Sequence, residues 1–349
     1  MCERAALILA GGRAKRFQTS PEEWRDKALA KLFGIPLIVH VVKAVRNVVD
    51  EVIICVNDEA RGTLYSKVLK EHSISSAEFC VDEEFGRVKG PLTAIATGLK
   101  KSKADYCAVL PCDVPLIQPT VIDHLLNVVK SSSVAVPTWP DGRLESLILT
   151  CERAIAAQIS ITLCELGRGR PDDIVRGASK VNFVSTVGEL KKLDPDLKSF
   201  VNINFLKDLE ALPKRICGKG PITSSLNLSI GCPDVSEFKR LRTALHYISE
   251  GKLLEASSMF SSLSANMEEK RLSFWGAIIR ENEGEALLRL STQIELGMKG
   301  YYTKVNEAFI KAAEDYRLEA EFYERNQVDF LAKRARIDEQ RNALRYLKS

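Results

Sequence analysis

No apolar run in the 349 residues approaches the roughly 18 that a membrane helix needs, which argues against a membrane-spanning protein. The N-terminal stretch Ala5–Ala10 is too short for the core of a secretory signal, so the expected location is the cytoplasm. Charge of one sign is also scarce. Lys+Arg 50 against Asp+Glu 46 leaves a formal charge of +4, too little to hold nucleic acid or an acidic membrane by electrostatics, and neither partner is expected. The 9 cysteines never fall in a Cys-x-x-Cys pair, which excludes a disulfide framework and a structural zinc site. Cys55 and Cys107 lie inside apolar runs and read as small buried hydrophobes. The 4 histidines, His40, His72, His124 and His246, form no base-and-nucleophile pattern. A Walker loop is missing as well, because Gly218-Lys219-Gly220 lacks the required spacing.

What remains is a globular composition, 45% hydrophobic and 28% charged, on a chain longer than one ordinary core. Residues 1–208 alternate short β-rich runs with helical patterns, the signature of βαβ units in a mainly parallel sheet. Strands are expected at Ala5–Leu9, Glu51–Val56, Glu78–Val81, Tyr106–Leu110, Val134–Pro137 and Ser146–Cys151. Helices are expected at Ile38–Val48, Leu92–Lys100 and Pro119–Val129, where apolar positions recur at three and four residues. Residues 209–233 are broken by Pro213, Gly218, Gly220, Pro221, Gly231 and Pro233 and read as a linker. From 234 to 349 the pattern is helical, with an apolar stripe through Leu241, Ala244, Leu245 and Ile248 and two longer helices near Val305–Phe322 and Val328–Leu347. The mixed charges of those last helices read as solvated faces.

The strongest chemical signal is at the start, where an apolar strand runs through Leu9 and Ala10 into Gly11 and Gly12, followed by Arg13, Lys15, Arg16 and then Lys27. Two glycines let backbone N–H groups approach phosphate oxygens, and the cations neutralise them, which suits a nucleoside triphosphate. Asn57, Asp82 and Asp113 each end an apolar run. In a parallel sheet the carboxyl ends of the strands share one rim, so these residues are expected beside the glycine loop.

Taken together, Leu9-Ala10-Gly11-Gly12 with Arg16, Asp26-Lys27-Ala28-Leu29, Gly34-Ile35-Pro36, Gly90-Pro91-Leu92, Pro111-Cys112-Asp113-Val114-Pro115 and Asn202-Ile203-Asn204 occur in the order found in one family. Over residues 1 to about 210 the chain resembles the molybdenum cofactor guanylyltransferases. The resemblance implies a doubly wound α/β, Rossmann-like nucleotidyltransferase sheet followed by an all-α domain outside the match. It also implies transfer of GMP from GTP to the phosphate of a molybdenum or tungsten pterin, with pyrophosphate released. The attacking group is then already an anion, with a second pKa of about 6, and needs no general base. By the same resemblance Arg16 and Lys27 hold the triphosphate beside Leu9, Ala10, Gly11 and Gly12, Asp113 binds Mg²⁺ with help from Asn204, Asn57 and Asp82 face the nucleoside, and Glu145 lies on the pterin side. Leu9-Ala10-Gly11-Gly12 favours guanine over the Ala-Ala-Gly of cytidylyl relatives. A pterin cytidylyltransferase, a cobinamide-phosphate guanylyltransferase, a sugar-phosphate nucleotidyltransferase and a noncatalytic nucleotide-binding scaffold are the alternatives.

Two departures stand out. Gln18–Arg25 is longer than the family's usual turn over the triphosphate, and Glu145 is followed by Ser146 where proline is usual. The helical domain is expected to fold separately, to be dispensable for chemistry, and to serve self-association or docking of a cofactor-handling protein.

Overall fold

A computed structural model describes residues 2–12, 17, 26–86, 88–212, 219–293 and 298–346. Arg16 and the 18–25 segment lie outside the described residues. The expected strands appear as β1 (Arg4–Leu9), β4 (Glu51–Val56), β5 (Ala77–Val81), β6 (Tyr106–Pro111), β7 (Val134–Thr138) and β8 (Leu149–Glu152). The short β2 (Lys31–Leu32) and β3 (Ile35–Pro36) pair only with each other, and β9 (Lys180–Ser185) and β10 (Leu226–Ser229) complete the strands. Helices α1 (Leu37–Val45), α2 (Glu59–Glu71), α3 (Pro91–Lys101), α4 (Pro119–Val128), α5 (Arg153–Glu165) and α6 (Asp172–Gly177) lie between them. The chain then continues as α7 (Val235–Ser249), α8 (Leu253–Glu269), α9 (Ser273–Gln293), α10 (Met298–Arg325) and α11 (Asp329–Tyr346). No described helix is long and apolar enough to cross a membrane.

The eight-stranded sheet runs β10-β9-β7-β8-β6-β1-β4-β5, with β8 and β10 antiparallel to their neighbours. Its strands are apolar on both faces because both are covered. Along β1, Ala5 and Leu7 face one core while Ala6 and Ile8 face the other, the two-residue alternation of a strand. One core holds α1, α2 and α4 through Ile38, Val42, Tyr65, Leu69, Val121 and Leu125. The other holds α3, α5 and α6, and it runs on without a break into Phe238, Phe260, Phe274, Trp275 and Tyr316 of the C-terminal helices.

The stretch expected as linker therefore contains a strand of the sheet. β10 pairs with β9 from Leu226↔Phe183 to Ser229↔Lys180, satisfying the outer backbone groups of β9. The helices beyond it share the sheet's core, since Trp275 Nε1 donates to Gly177 O at 3.0 Å and the Phe274 and Trp275 rings leave no room for a Cβ at Gly177. Cys55 and Cys107 are both buried and unpaired by disulfide.

Register places the site. β1 pairs with β4 as Leu9↔Cys55 and with β6 as Leu9↔Pro111, while β4 pairs with β5 as Val56↔Val81. The carboxyl ends of four strands are thus level. The chain order reverses at β1, whose neighbours β4 and β6 leave in opposite directions, and a crevice opens beyond such a reversal.

Candidate active site

A cavity of about 790 Å³ occupies that crevice. Leu9, Ala10, Gly11, Gly12, Lys27, Asn57, Asp82 and Asp113 all line it, so eight of the residues singled out in the sequence meet at one place. The glycine loop leaves β1 against the end of β4: Ala10 N donates to Cys55 O at 2.8 Å, and a Cβ on Gly11 would stand 3.1 Å from Asn57 N. Gly12 has open space around its Cα. A ligand's oxygen can therefore approach the backbone there.

Lys27 enters the cavity on a short 3-10 turn, Lys27–Leu29, whose N-cap Asp26 accepts from Ala28 N at 2.9 Å. Its Nζ donates to Asp113 Oδ2 at 2.5 Å and to Asn204 Oδ1 at 3.2 Å. The Lys27 and Asp113 side chains are 13% and 17% exposed, a pair at the cavity margin that a triphosphate can still reach. Asn204 is brought from far along the chain because Ile203 N donates to Asp113 O at 2.9 Å, and Asn204 N donates to Asp208 Oδ2 at 2.7 Å. Asp113 Oδ1 is buried with no hydrogen-bond partner among the described residues. Cys112 beside it is a neutral thiol, since burial pushes its pKa up to about 12.

On the other side of β1, Asp82 N donates to Val56 O at 2.9 Å, fixing the turn after β5. Asp82 Oδ1 is a second buried oxygen without a partner among the described residues. Burial pushes the carboxyl up to about 6, against the pull of Lys89. Gly90 and Pro91, at the amino end of α3, close this side and add a helix N-terminus to the wall.

Glu145 is not among the cavity's lining residues. Its Oε1 accepts from Trp139 Nε1 at 2.6 Å, bracing the connection between β7 and β8, and Leu147 two residues on reaches the cavity instead. Asp26 and Tyr65 were not singled out by sequence as site residues. Tyr65 Oη donates to Asp26 Oδ2 at 2.7 Å, and burial together with that carboxylate raises the phenol well above its ordinary pKa, so it stays a donor and anchors the turn that carries Lys27. The only sequence signal for Asp26 was its place before Lys27, and α2, which carries Tyr65, has a mostly polar sequence.

The donor set suits a hard divalent ion. Asp113 offers an unpartnered carboxylate oxygen, and Asn204 supplies an amide oxygen held by the same ammonium group. Among the described residues no three His, Cys, Asp or Glu gather into a closed cage, so an ion here would take its remaining oxygens from phosphate and water.

The family described as "MobA-like NTP transferase domain" matches residues 6–177. A protein of Methanosarcina acetivorans named "Probable molybdenum cofactor guanylyltransferase" is 30% identical over 217 residues, which span 62% of this chain and 92% of that protein. A "Molybdenum cofactor guanylyltransferase" of Pseudomonas entomophila is 39% identical over 150 residues, 43% of this chain and 70% of its own length. Among solved structures, molybdopterin-guanine dinucleotide biosynthesis protein A of Archaeoglobus fulgidus aligns at a TM-score of 0.48 and 23% identity, covering 59% of this chain and 95% of that one. On 30% identity across 92% of a relative, the chain belongs to the molybdenum cofactor guanylyltransferases, nucleotidyltransferases of the MobA-like group.

Proposed function

We propose that this enzyme transfers GMP from GTP to the terminal phosphate of molybdopterin and releases pyrophosphate. The observation that carries the reading is the Lys27–Asp113–Asn204 cluster at the sheet's reversal point, level with the glycine loop. An acceptor phosphate oxygen attacks the α-phosphorus of GTP. The bond from that phosphorus to the bridging oxygen breaks, and pyrophosphate leaves with the bonding pair. The nucleophile is ionised at neutral pH, so the protein's contribution is alignment and charge neutralisation. The backbone at Gly11 and Gly12 cradles the triphosphate, Lys27 neutralises it, and Arg16 joins Lys27 by the sequence pattern alone. Mg²⁺ is held by Asp113 with Asn204 assisting, and supplies charge neutralisation on the phosphates when bound. Glu145 serves the pterin side by holding the β7–β8 connection in shape.

Pyrophosphate release with each of the four NTPs, with and without a pterin acceptor, tests the reaction. Acceptor-dependent release is expected with GTP. Titration should show GTP binding at least about tenfold tighter than CTP, since buried polar groups matched to guanine are left unpaired by another base. Equal affinity, or tighter CTP, overturns the guanylyl assignment in favour of cytidylyl transfer.

We assign the guanine edge to Asp82, because an ionised carboxylate accepts from N1–H and the 2-amino group together while the protonated acid loses that pairing. With its pKa at about 6, Asp82 is charged above that value and neutral below it. GTP affinity is accordingly expected to fall as pH drops through 6, and Asp82→Asn to weaken GTP about 10- to 100-fold at pH 7.5 and remove the difference between pH 7.5 and 5. Identical pH profiles in wild type and variant would remove Asp82 from base recognition.

A further inference from the structure

Two walls of the nucleotide cavity rest on parts of the fold that the C-terminal helices hold. The first wall is the β5–α3 connection, which carries Asp82, Lys89 and Gly90. It lies directly on the end of α5 and the α5–α6 connection. A Cβ on Gly86 would stand 2.9 Å from Cys164 O, one on Gly90 3.0 Å from Gly169 O, and one on Gly169 2.5 Å from Val88 Cγ1. Arg168, in the same connection, is 7% exposed. Its Nε and Nη2 donate to the Asp173 carboxylate at 3.1 Å each, Nη2 also donates to Asp338 Oδ2 of α11 at 2.7 Å, and Nη1 donates to Tyr316 Oη of α10 at 3.4 Å. Arg176 of α6 reaches the same Asp338 oxygen at 2.8 Å and grips Glu319 of α10 through two bonds of 2.7 Å.

The second wall is the β7–β8 connection, which brings Leu147 to the cavity. At its tip Gly142 adopts φ +77°, and a Cβ there would stand 2.8 Å from Asp329 N at the start of α11. The turn between α10 and α11 is thus seated against it.

We propose that α10 and α11 brace the nucleotide cavity, with Asp338 as the positioning residue that fixes the α5–α6 connection and, through it, the β5–α3 wall. This rests on the reading that the cavity binds a nucleotide. Two buried guanidinium groups converge on one carboxylate oxygen. Without that charge Arg168 gains by moving toward water, and the backbone beneath Gly90 moves with it. The residue lies behind the wall and touches no reacting atom, so its effect is on nucleotide affinity.

The test uses the full chain and whichever of the four NTPs the wild type binds most tightly, with Kd and melting temperature measured for each variant. Asp338→Asn and Gly169→Ala are expected to weaken nucleotide about tenfold, the first by freeing the arginines and the second by pushing on Val88. Asp315→Asn is the control, because it breaks the buried pair with Arg280 wholly within the C-terminal helices. It should lower the melting temperature while leaving Kd within about twofold of wild type. Wild-type affinity in both Asp338→Asn and Gly169→Ala overturns the brace, as does equal weakening by Asp315→Asn. Should Asp338→Asn fail to fold, Gly169→Ala decides. A wild type that binds none of the four nucleotides overturns the reading of the cavity itself and the brace with it.

Discussion

Asp113→Ala is expected to lower turnover by about a thousandfold or more, the loss of roughly 4 kcal/mol of charge stabilisation on the transferring phosphate. The fold should survive. Asp113 makes its structural contact through the backbone carbonyl, which accepts from Ile203 N and is unchanged by the substitution. Its Oδ1 has no partner among the described residues to strand, and Lys27 keeps the Asn204 oxygen. Nucleotide binding in the absence of divalent metal should therefore stay close to wild type. Single-turnover pyrophosphate release, metal-free GTP titration and a melting curve on one preparation check the three parts. A large drop in melting temperature, with turnover lost only in proportion to unfolded protein, would make Asp113 a structural residue.

A chain ending at residue 233 is expected to lose its cooperative fold. The truncation strips Trp275, Phe274 and Phe238 from the core they share with α5 and α6, at about 1.5–3 kcal/mol for each large side chain. It also removes Glu319 and Asp338 from Arg176 and Arg168, leaving Asp173 to serve both. Against a total stability of about 5–15 kcal/mol for a typical domain, these losses are decisive. Circular dichroism melts and binding of an apolar dye should show a broad or absent transition and exposed apolar surface in the fragment. A fragment melting within about 5 °C of the full chain would restore the separate helical domain expected from sequence.

The β-strands nearest the cavity were legible because each is a continuous β-branched run ended by a polar residue, as in Val52–Val56 before Asn57 and Ala108–Pro111 before Asp113. The site followed from topology once those ends shared a rim. α2 was not legible, since only Gly62, Tyr65 and Leu69 are buried along it and no apolar stripe marks it. β10 was missed for a different reason. Four residues, Leu226–Ser229, amid glycines and prolines carry no pattern of their own, and their strand character comes from the edge of β9. The charges of α10 and α11 misled in the same way. Glu319 and Asp338 read as part of solvated faces because their partners, Arg176 and Arg168, lie 143 and 170 residues away.

That separation has a consequence during synthesis. The ribosome delivers Arg168 and Arg176 long before the carboxylates that neutralise them. At about 5–20 residues per second, the 170 residues from Arg168 to Asp338 take about 10–30 s to emerge. Through that interval the nascent sheet carries two guanidinium groups on the face it must bury, so its α5–α6 side stays hydrated and unlocked. Closure of the nucleotide cavity is thereby a late event, tied to completion of the last helix, and a chain stalled before α11 holds an open site rather than a finished one.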